Sequence, residues 1–145
     1  MASAVLFIRL ASLGLVPLFA FGQSGQETSV KTTVCELARH PENFDGKLVA
    51  VRAMVDSGVE DLPSGLVDDT CGAHMKFVTP DDAHFAELLK SKGYRKLVKE
   101  VKKSPYVEAA VTGIFKRFGT ELKPDNRFAL MSVEEVTVRK PPRVP

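Results

Sequence analysis

The sequence predicts a mainly β protein with helices, folded as a single domain, and three observations carry that expectation. Two stretches, residues 47–56 and 106–118, alternate apolar and polar side chains with the period of two that a half-buried strand requires. Shorter apolar runs bounded by glycine, proline and aspartate lie between them, and residues 79–103 instead show helix-start chemistry followed by a helical period. The composition of the 145 residues, 44% hydrophobic and 26% charged with a net charge of +2, is that of an ordinary globular chain. It excludes a disordered, collagen-like or multi-spanning membrane protein.

The first segment reads as an export signal. Residues 10–21, LASLGLVPLFAF, form an apolar core of secretory length behind Arg9, and Ala20 and Gly22 suit the −3 and −1 positions of a signal-peptidase site, so residues 1–22 are expected to be removed. The mature charge is then +1, since only Arg9 is lost. The alternative is an uncleaved N-terminal membrane anchor, because only Arg9 interrupts the apolar run of residues 4–21. Arginine and Pro17 inside that run weigh against a stable span. The absence of a cysteine beside the leader leaves nothing to acylate.

Export to the periplasm or beyond the cell means an oxidising compartment, and the chain holds two cysteines, Cys35 and Cys71. Their pairing is the plain expectation. It would close a loop of nearly forty residues, for which chain entropy predicts about 4 kcal/mol of stabilisation. The competing reading is metal, from Cys71-Gly72-Ala73-His74 with Asp68 and Asp69 before it and His84 ten residues later. A zinc site needs four ligands, which a second paired motif would announce, and none is present. No metal or other cofactor is assigned, and without a Cys-x-x-Cys the pair has no redox signature.

Residues 23–32 are polar and aperiodic and read as a flexible start, with the folded domain spanning 33–138. Thr33 and Glu36 form a capping box, which predicts a short helix over 34–39 that ends at His40-Pro41 because the residue before proline avoids helical geometry. Asn43-Phe44-Asp45-Gly46 is turn chemistry. The first strand, 47–56, puts Val49, Val51, Ala53 and Val55 on one face and Arg52 on the wetter one. A loop over 57–65 leads to brief strands at 66–69 and 74–78. Thr79-Pro80-Asp81-Asp82 predicts a helix with Thr79 as cap, Phe85, Leu88 and Leu89 as its stripe and Gly93 as its stop. Tyr94, Leu97, Val98 and Val101 then continue the period through a kink or in a second helix. Gly113 suggests a bulge or bend in strand 106–118, and the pattern of strand 128–138 slips by one residue near Glu134-Glu135. Residues 139–145 form a basic, proline-rich tail.

Five strands with an N-terminal helix and a helical insertion between the third and fourth give the order of an OB-like Greek-key barrel. A different α+β fold with a five-stranded antiparallel sheet is the alternative. The residues also carry a resemblance: Val34-Cys35-Glu36-Leu37, then Pro41 and Phe44-Asp45-Gly46-Lys47 through Val51-Arg52, then Leu66-Val67-Asp68-Asp69 and Cys71. This pattern resembles small exported bacterial proteins of unknown function with an OB-like core, related in fold to tRNA-anticodon-like OB domains. The resemblance covers residues 33–71 and implies fold and export, not an activity.

Charge is distributed unevenly. Residues 56–69 hold Asp56, Glu60, Asp61, Asp68 and Asp69 and no base, whereas residues 90–103 hold Lys90, Lys92, Arg95, Lys96, Lys99, Lys102 and Lys103 against Glu100. The acidic segment argues against oligonucleotide binding, which wants a basic groove with stacked aromatics. The basic segment reads as a solvated helix face or as a surface for an acidic partner. His40, His74 and His84 are the loose acid–base candidates, and no nucleophile elbow, phosphate loop or metalloprotease helix accompanies them, so no catalytic residue is assigned. The expectation is a non-catalytic binding or interaction module of the bacterial cell envelope, whose partner is an envelope protein or an acidic envelope component. An envelope structural or assembly protein, or an enzyme of unknown reaction, is the alternative.

Overall fold

The computed structural model describes residues 27–120 and 122–141, so the segment expected to be an export signal, 1–22, and the end of the tail at 142–145 lie outside it. The chain forms β1 (Val30–Thr32), α1 (Val34–Arg39), β2 (Leu48–Ser57), β3 (Pro63–Asp68), β4 (Ala73–Val78), α2 (Asp82–Lys90), α3 (Lys92–Val101), β5 (Val107–Thr120) and β6 (Lys123–Val138). Short 3₁₀ turns at Pro41–Asn43 and Val59–Asp61 punctuate it. The result is mainly β with helices, a mixed sheet of six strands. Among the described residues, no helix is long and apolar enough to cross a membrane.

The strand pairings run β2–β3–β4–β6–β5, and β5 pairs back onto β2. Within that circuit β4 and β6 are parallel and the other pairs antiparallel, while β1 adds a parallel pairing to the first half of β2. One face of each strand from β2 to β6 turns inward. Val49, Val51, Ala53 and Val55 of β2 are buried as their alternation requires, and they meet Leu66, Met75, Phe115 and Phe128 from the other strands. Val34 and Leu37 of α1, and Leu88, Leu97 and Val101 of α2 and α3, complete this core. The Thr33 hydroxyl accepts from the Glu36 amide at 3.1 Å, as the capping box predicts. Gly46 takes the positive φ its turn needs, +74°.

Several boundaries differ from the expectation, each for a physical reason. Val30–Thr32 is a strand although none of its residues is buried, because a three-residue edge strand is held by backbone pairing to Val49, Ala50 and Val51 rather than by an apolar face. The cap of α2 is Asp81 and not Thr79: its carboxylate accepts from the His84 amide at 3.1 Å, and Pro80 stays outside the helix. Gly93 does not end a helix. Ser91 closes α2 and caps α3, and Gly93 is the second residue of α3. β6 begins at Lys123, so the expected connection over 119–127 is mostly a hairpin with β5. The register slips at Ala110/Val111 and Thr112/Gly113, leaving Glu134 and Met131 unmatched, so the bulges expected near Glu134-Glu135 and Gly113 are present. The first tail residue is anchored, since the Arg139 amide donates to the Tyr106 carbonyl at 2.7 Å.

Charged side chains tie three strands together outside the core. Glu108 on β5, 14% exposed, accepts from Arg139 at 2.7 Å and from Arg52 of β2 at 3.3 Å, and Arg52 also pairs with Glu135 of β6. Burial pushes the Glu108 carboxyl up, but hydrogen bonds from Arg139 and Arg52 together outweigh it, so the carboxyl sits below its ordinary value. A carboxylate depressed in the folded state stabilises above its unfolded value, and that stability is lost as pH falls through the folded one. We therefore expect the urea midpoint to fall as pH drops below about 4.3, the ordinary glutamate value. Glu108→Gln should lower stability at pH 7 by about 1 kcal/mol and make the acid limb shallower. An unchanged midpoint at pH 7 would show that the two arginines contribute nothing through Glu108.

Candidate functional site

The most prominent charged surface is built on α3. Ser91 holds the junction of the two helices, its hydroxyl donating to the Leu88 carbonyl at 2.8 Å and accepting from the Tyr94 amide at 3.2 Å. From that start the helical period divides the segment. Leu97 and Val101 are buried, and Tyr94 is half-buried, with burial pushing its phenol above the ordinary value. On the opposite side Lys92, Arg95, Lys96, Lys99, Lys102 and Lys103 are all exposed. Their spacing of three and four residues puts Lys92, Arg95, Lys96 and Lys99 on one side of the helix axis, over a length of about 10 Å, and Lys102 and Lys103 follow in the turn that ends α3. Lys92, Arg95, Lys96 and Lys99, with Glu100, line an open trough of 440 Å³.

Little neutralises this stripe. The Lys96 ammonium donates to the Val136 carbonyl at 3.0 Å, and Lys90, on α2, lies 3.8 Å from Glu87. Among the described residues, Lys92, Arg95, Lys99, Lys102 and Lys103 have no hydrogen bond or ion pair from their side chains. Like charges three or four apart on a helix destabilise it, and the helix dipole favours only those at its C-terminal end, Lys99 and the two lysines that follow.

The acidic segment is not one site. Glu60 and Asp61 sit at the tip of the β2–β3 connection, at positive φ of 63° and 52°, whereas Asp56 lies on β2 opposite Gly65 of β3. Asp68 and Asp69 lie at the other end of β3, about 20 Å from Glu60 and Asp61 along a six-residue strand. There the Asp68 carboxylate accepts from the Thr70 amide at 3.0 Å and from its hydroxyl. The sequence places these acids within fourteen positions, but the length of β3 separates Glu60 and Asp61 from Asp68 and Asp69.

Cys35 and Cys71 are bonded to each other, with sulfurs 2.03 Å apart and Cα atoms 6.0 Å apart. Asp68 lies beside them, yet sulfurs committed to a disulfide offer no thiolate to a metal. The histidines are dispersed and exposed. His74 Nε2 is 3.2 Å from Asp56, His84 Nδ1 is 2.5 Å from Asp81, and His40 Nδ1 is 3.8 Å from Glu42. The backbone N–H of His84 and then its ring hold the Asp81 carboxyl below its ordinary value, which is helix capping rather than acid–base chemistry. Among the described residues, no histidine–carboxylate pair adjoins a serine, threonine or cysteine nucleophile in a hydrogen-bonded relay.

A second cationic group escapes the sequence. Lys76 of β4 and Lys116 of β5 both pair with Arg127 of β6, so three cations stand side by side across three strands. Each is next to a core phenylalanine, as Lys76-Phe77, Phe115-Lys116 and Arg127-Phe128. That recurrence is the sequence signal, but only the register brings it together. Arg127 bonds Asp125 at 2.6 and 3.0 Å and lies 4.8 Å over the Phe118 ring, and its hydrogen bond holds the Asp125 carboxyl below the ordinary value. No family model and no curated protein matches the chain.

Proposed function

We propose that this chain is an exported, non-catalytic binding module with an OB-like core, which holds an acidic component of the bacterial envelope on the cationic face of α3. The observation that carries the reading is the stripe itself: four exposed basic side chains on one face of α3, continued by Lys102 and Lys103 just past its end, largely unneutralised, above an apolar face committed to the core. Such a helix cannot insert without unpacking Leu97 and Val101, so it engages its partner by charge alone.

The OB-like part of the proposal is supported by the circuit of pairings through five strands, by the parallel pair between β4 and β6, and by the two helices inserted between β4 and β5. Export is supported by the apolar leader and by a disulfide, which persists in oxidising compartments. Among acidic envelope components, an anionic lipid surface suits a straight, exposed row of charge. Each Lys or Arg near such a surface contributes about 1 kcal/mol, which makes the association weak, reversible and salt-dependent.

Sedimentation with vesicles tests this. The mature protein should pellet with vesicles containing phosphatidylglycerol and not with phosphatidylcholine alone, and the bound fraction should fall steeply between 50 and 300 mM salt. Reversing Lys92, Arg95 and Lys99 to glutamate should abolish pelleting while leaving the thermal transition in place. Binding that is absent, insensitive to salt, or retained by the reversed variant rejects the α3 assignment, as does binding to an acidic polysaccharide in preference to the vesicles.

A further inference from the structure

The row Lys76–Arg127–Lys116 borders an apolar row one step further along the same strands, Val78–Ala129–Ile114, paired in the same register. Both rows face away from the core, because the residues between them, Phe77, Phe128 and Phe115, face inward. Two residues of strand separate the rows, about 7 Å. Ala129 is only 6% exposed although it points outward. It is the floor of a cleft of 330 Å³, walled by Val78, Pro80, Ile114 and Met131, with Lys116 and Arg127 at one end beside Phe118.

Two features set this cleft apart from an ordinary sheet surface. Like charges directly opposite on neighbouring strands destabilise a sheet, and here three stand in one row with Asp125 bonded to Arg127 and felt by Lys76 only through its charge. Asp125 engages Arg127, while the Lys76 and Lys116 side chains have no hydrogen bond or ion pair among the described residues. Departures from local consistency of this kind gather at functional sites. The second feature is polarity along the cleft. Its other end carries Asp81, whose carboxylate is taken up by the His84 amide and ring, so an anion is favoured only at the Lys116–Arg127 end.

We infer that this cleft binds a small amphiphilic anion, its carboxylate or phosphate held by Lys116 and Arg127 and its apolar body lying over Ile114, Ala129 and Met131. The volume lies at the lower end of small-ligand pockets and fits a short acyl chain or one aromatic ring system better than a polymer. The site is separate from the stripe on α3 and does not depend on the envelope reading.

Titration of the ¹⁵N-labelled, disulfide-intact mature protein tests it, with octyl phosphate, octanoate and 1-naphthyl phosphate as probes and 1-octanol as the uncharged match. Saturable shifts are expected at the amides of Ile114, Lys116, Ala129 and Met131, with the alkyl and naphthyl arms identifying the body the cleft accepts. Lys116→Glu, at an exposed position that leaves folding intact, should weaken binding at least tenfold. The α3 variant Lys92→Glu/Lys99→Glu should stay within twofold of wild type. The inference is overturned if no anion binds, if octanol binds as tightly as octyl phosphate, or if Lys116→Glu changes affinity less than twofold. It is equally overturned if the α3 variant loses as much affinity as Lys116→Glu, or if a single-stranded oligonucleotide shifts the same amides at lower concentration. Loss of vesicle binding by the α3 variant with octyl phosphate binding retained would separate the two sites.

Discussion

Replacing Cys35 and Cys71 together by alanine is expected to lower stability by about 4 kcal/mol. The bond joins α1 to the β3–β4 turn across 36 positions of sequence, and a loop of that length removes roughly this much chain entropy from the unfolded state. Small domains are stable by about 5–15 kcal/mol in total, so the loss would be felt at growth temperature. The local consequence is as specific as the global one. α1 has six residues, far below the length at which an isolated helix persists in water. It is held by the Thr33 cap, by Val34 and Leu37 in the core, and by the disulfide. Urea denaturation of the double variant should show the lower midpoint, and amide exchange should accelerate first over residues 34–39 and 69–72. Reduction of the wild-type protein should reproduce both effects. A loss below about 1 kcal/mol would mean that the entropy of the reduced chain is already limited by residual structure, and that the sheet holds α1 unaided.

What could be read from the sequence follows from how each feature is encoded. β2 was legible because Val49, Val51, Ala53 and Val55 are all buried, so its period of two survives intact. The Thr33–Glu36 cap and the Gly46 turn were legible because both are local chemistry, settled within four residues. The start of β3 was not, since Pro63, Ser64 and Gly65 are turn residues that pair here across an irregular register at Asp56/Ser57. Lys123, Pro124, Asp125 and Asn126 read as a connection for a related reason. They belong to the outer part of the β5–β6 hairpin, where no core demands an apolar face.

The sites divide along the same line. The stripe on α3 repeats every three or four residues along one element, so sequence spacing alone locates it. The row of Lys76, Lys116 and Arg127 is assembled from three strands, one of them parallel to its neighbour, and no spacing between positions 76, 116 and 127 encodes that meeting. Conversely, the five acids at 56–69 are close in sequence, yet Glu60 and Asp61 fall at one end of β3 and Asp68 and Asp69 at the other, with Asp56 beside its middle. Net charge fails for both: the +2 of the whole chain averages over surfaces that differ in sign and lie on different faces.

Gly93→Ala tests whether α3 is seated rigidly, and two opposing terms make the outcome decisive. On helix propensity alone alanine is better by about 0.8–1.0 kcal/mol in a helix interior, an upper bound for position 93 in the first turn of α3. A Cβ there, however, would lie 1.9 Å from the Val133 carbonyl oxygen, 2.8 Å from its carbon and 3.1 Å from its Cβ. The first two are backbone atoms of β6 and cannot swing aside as a flexible side chain would. Relief requires α3 to rise off the sheet, which loosens Leu97 and Val101 and stretches the Lys96 bond to the Val136 carbonyl. Overpacking of this kind costs about 1–3 kcal/mol and at times more, which exceeds the propensity gain. We expect a net loss of about 2 kcal/mol, read as a lower urea midpoint with an unchanged slope, and a broadened Tyr94 signal as its packing is disturbed. A variant more stable than wild type would show that α3 rides outward freely, and a helix that does so could not present its lysines as the fixed row that the binding proposal requires.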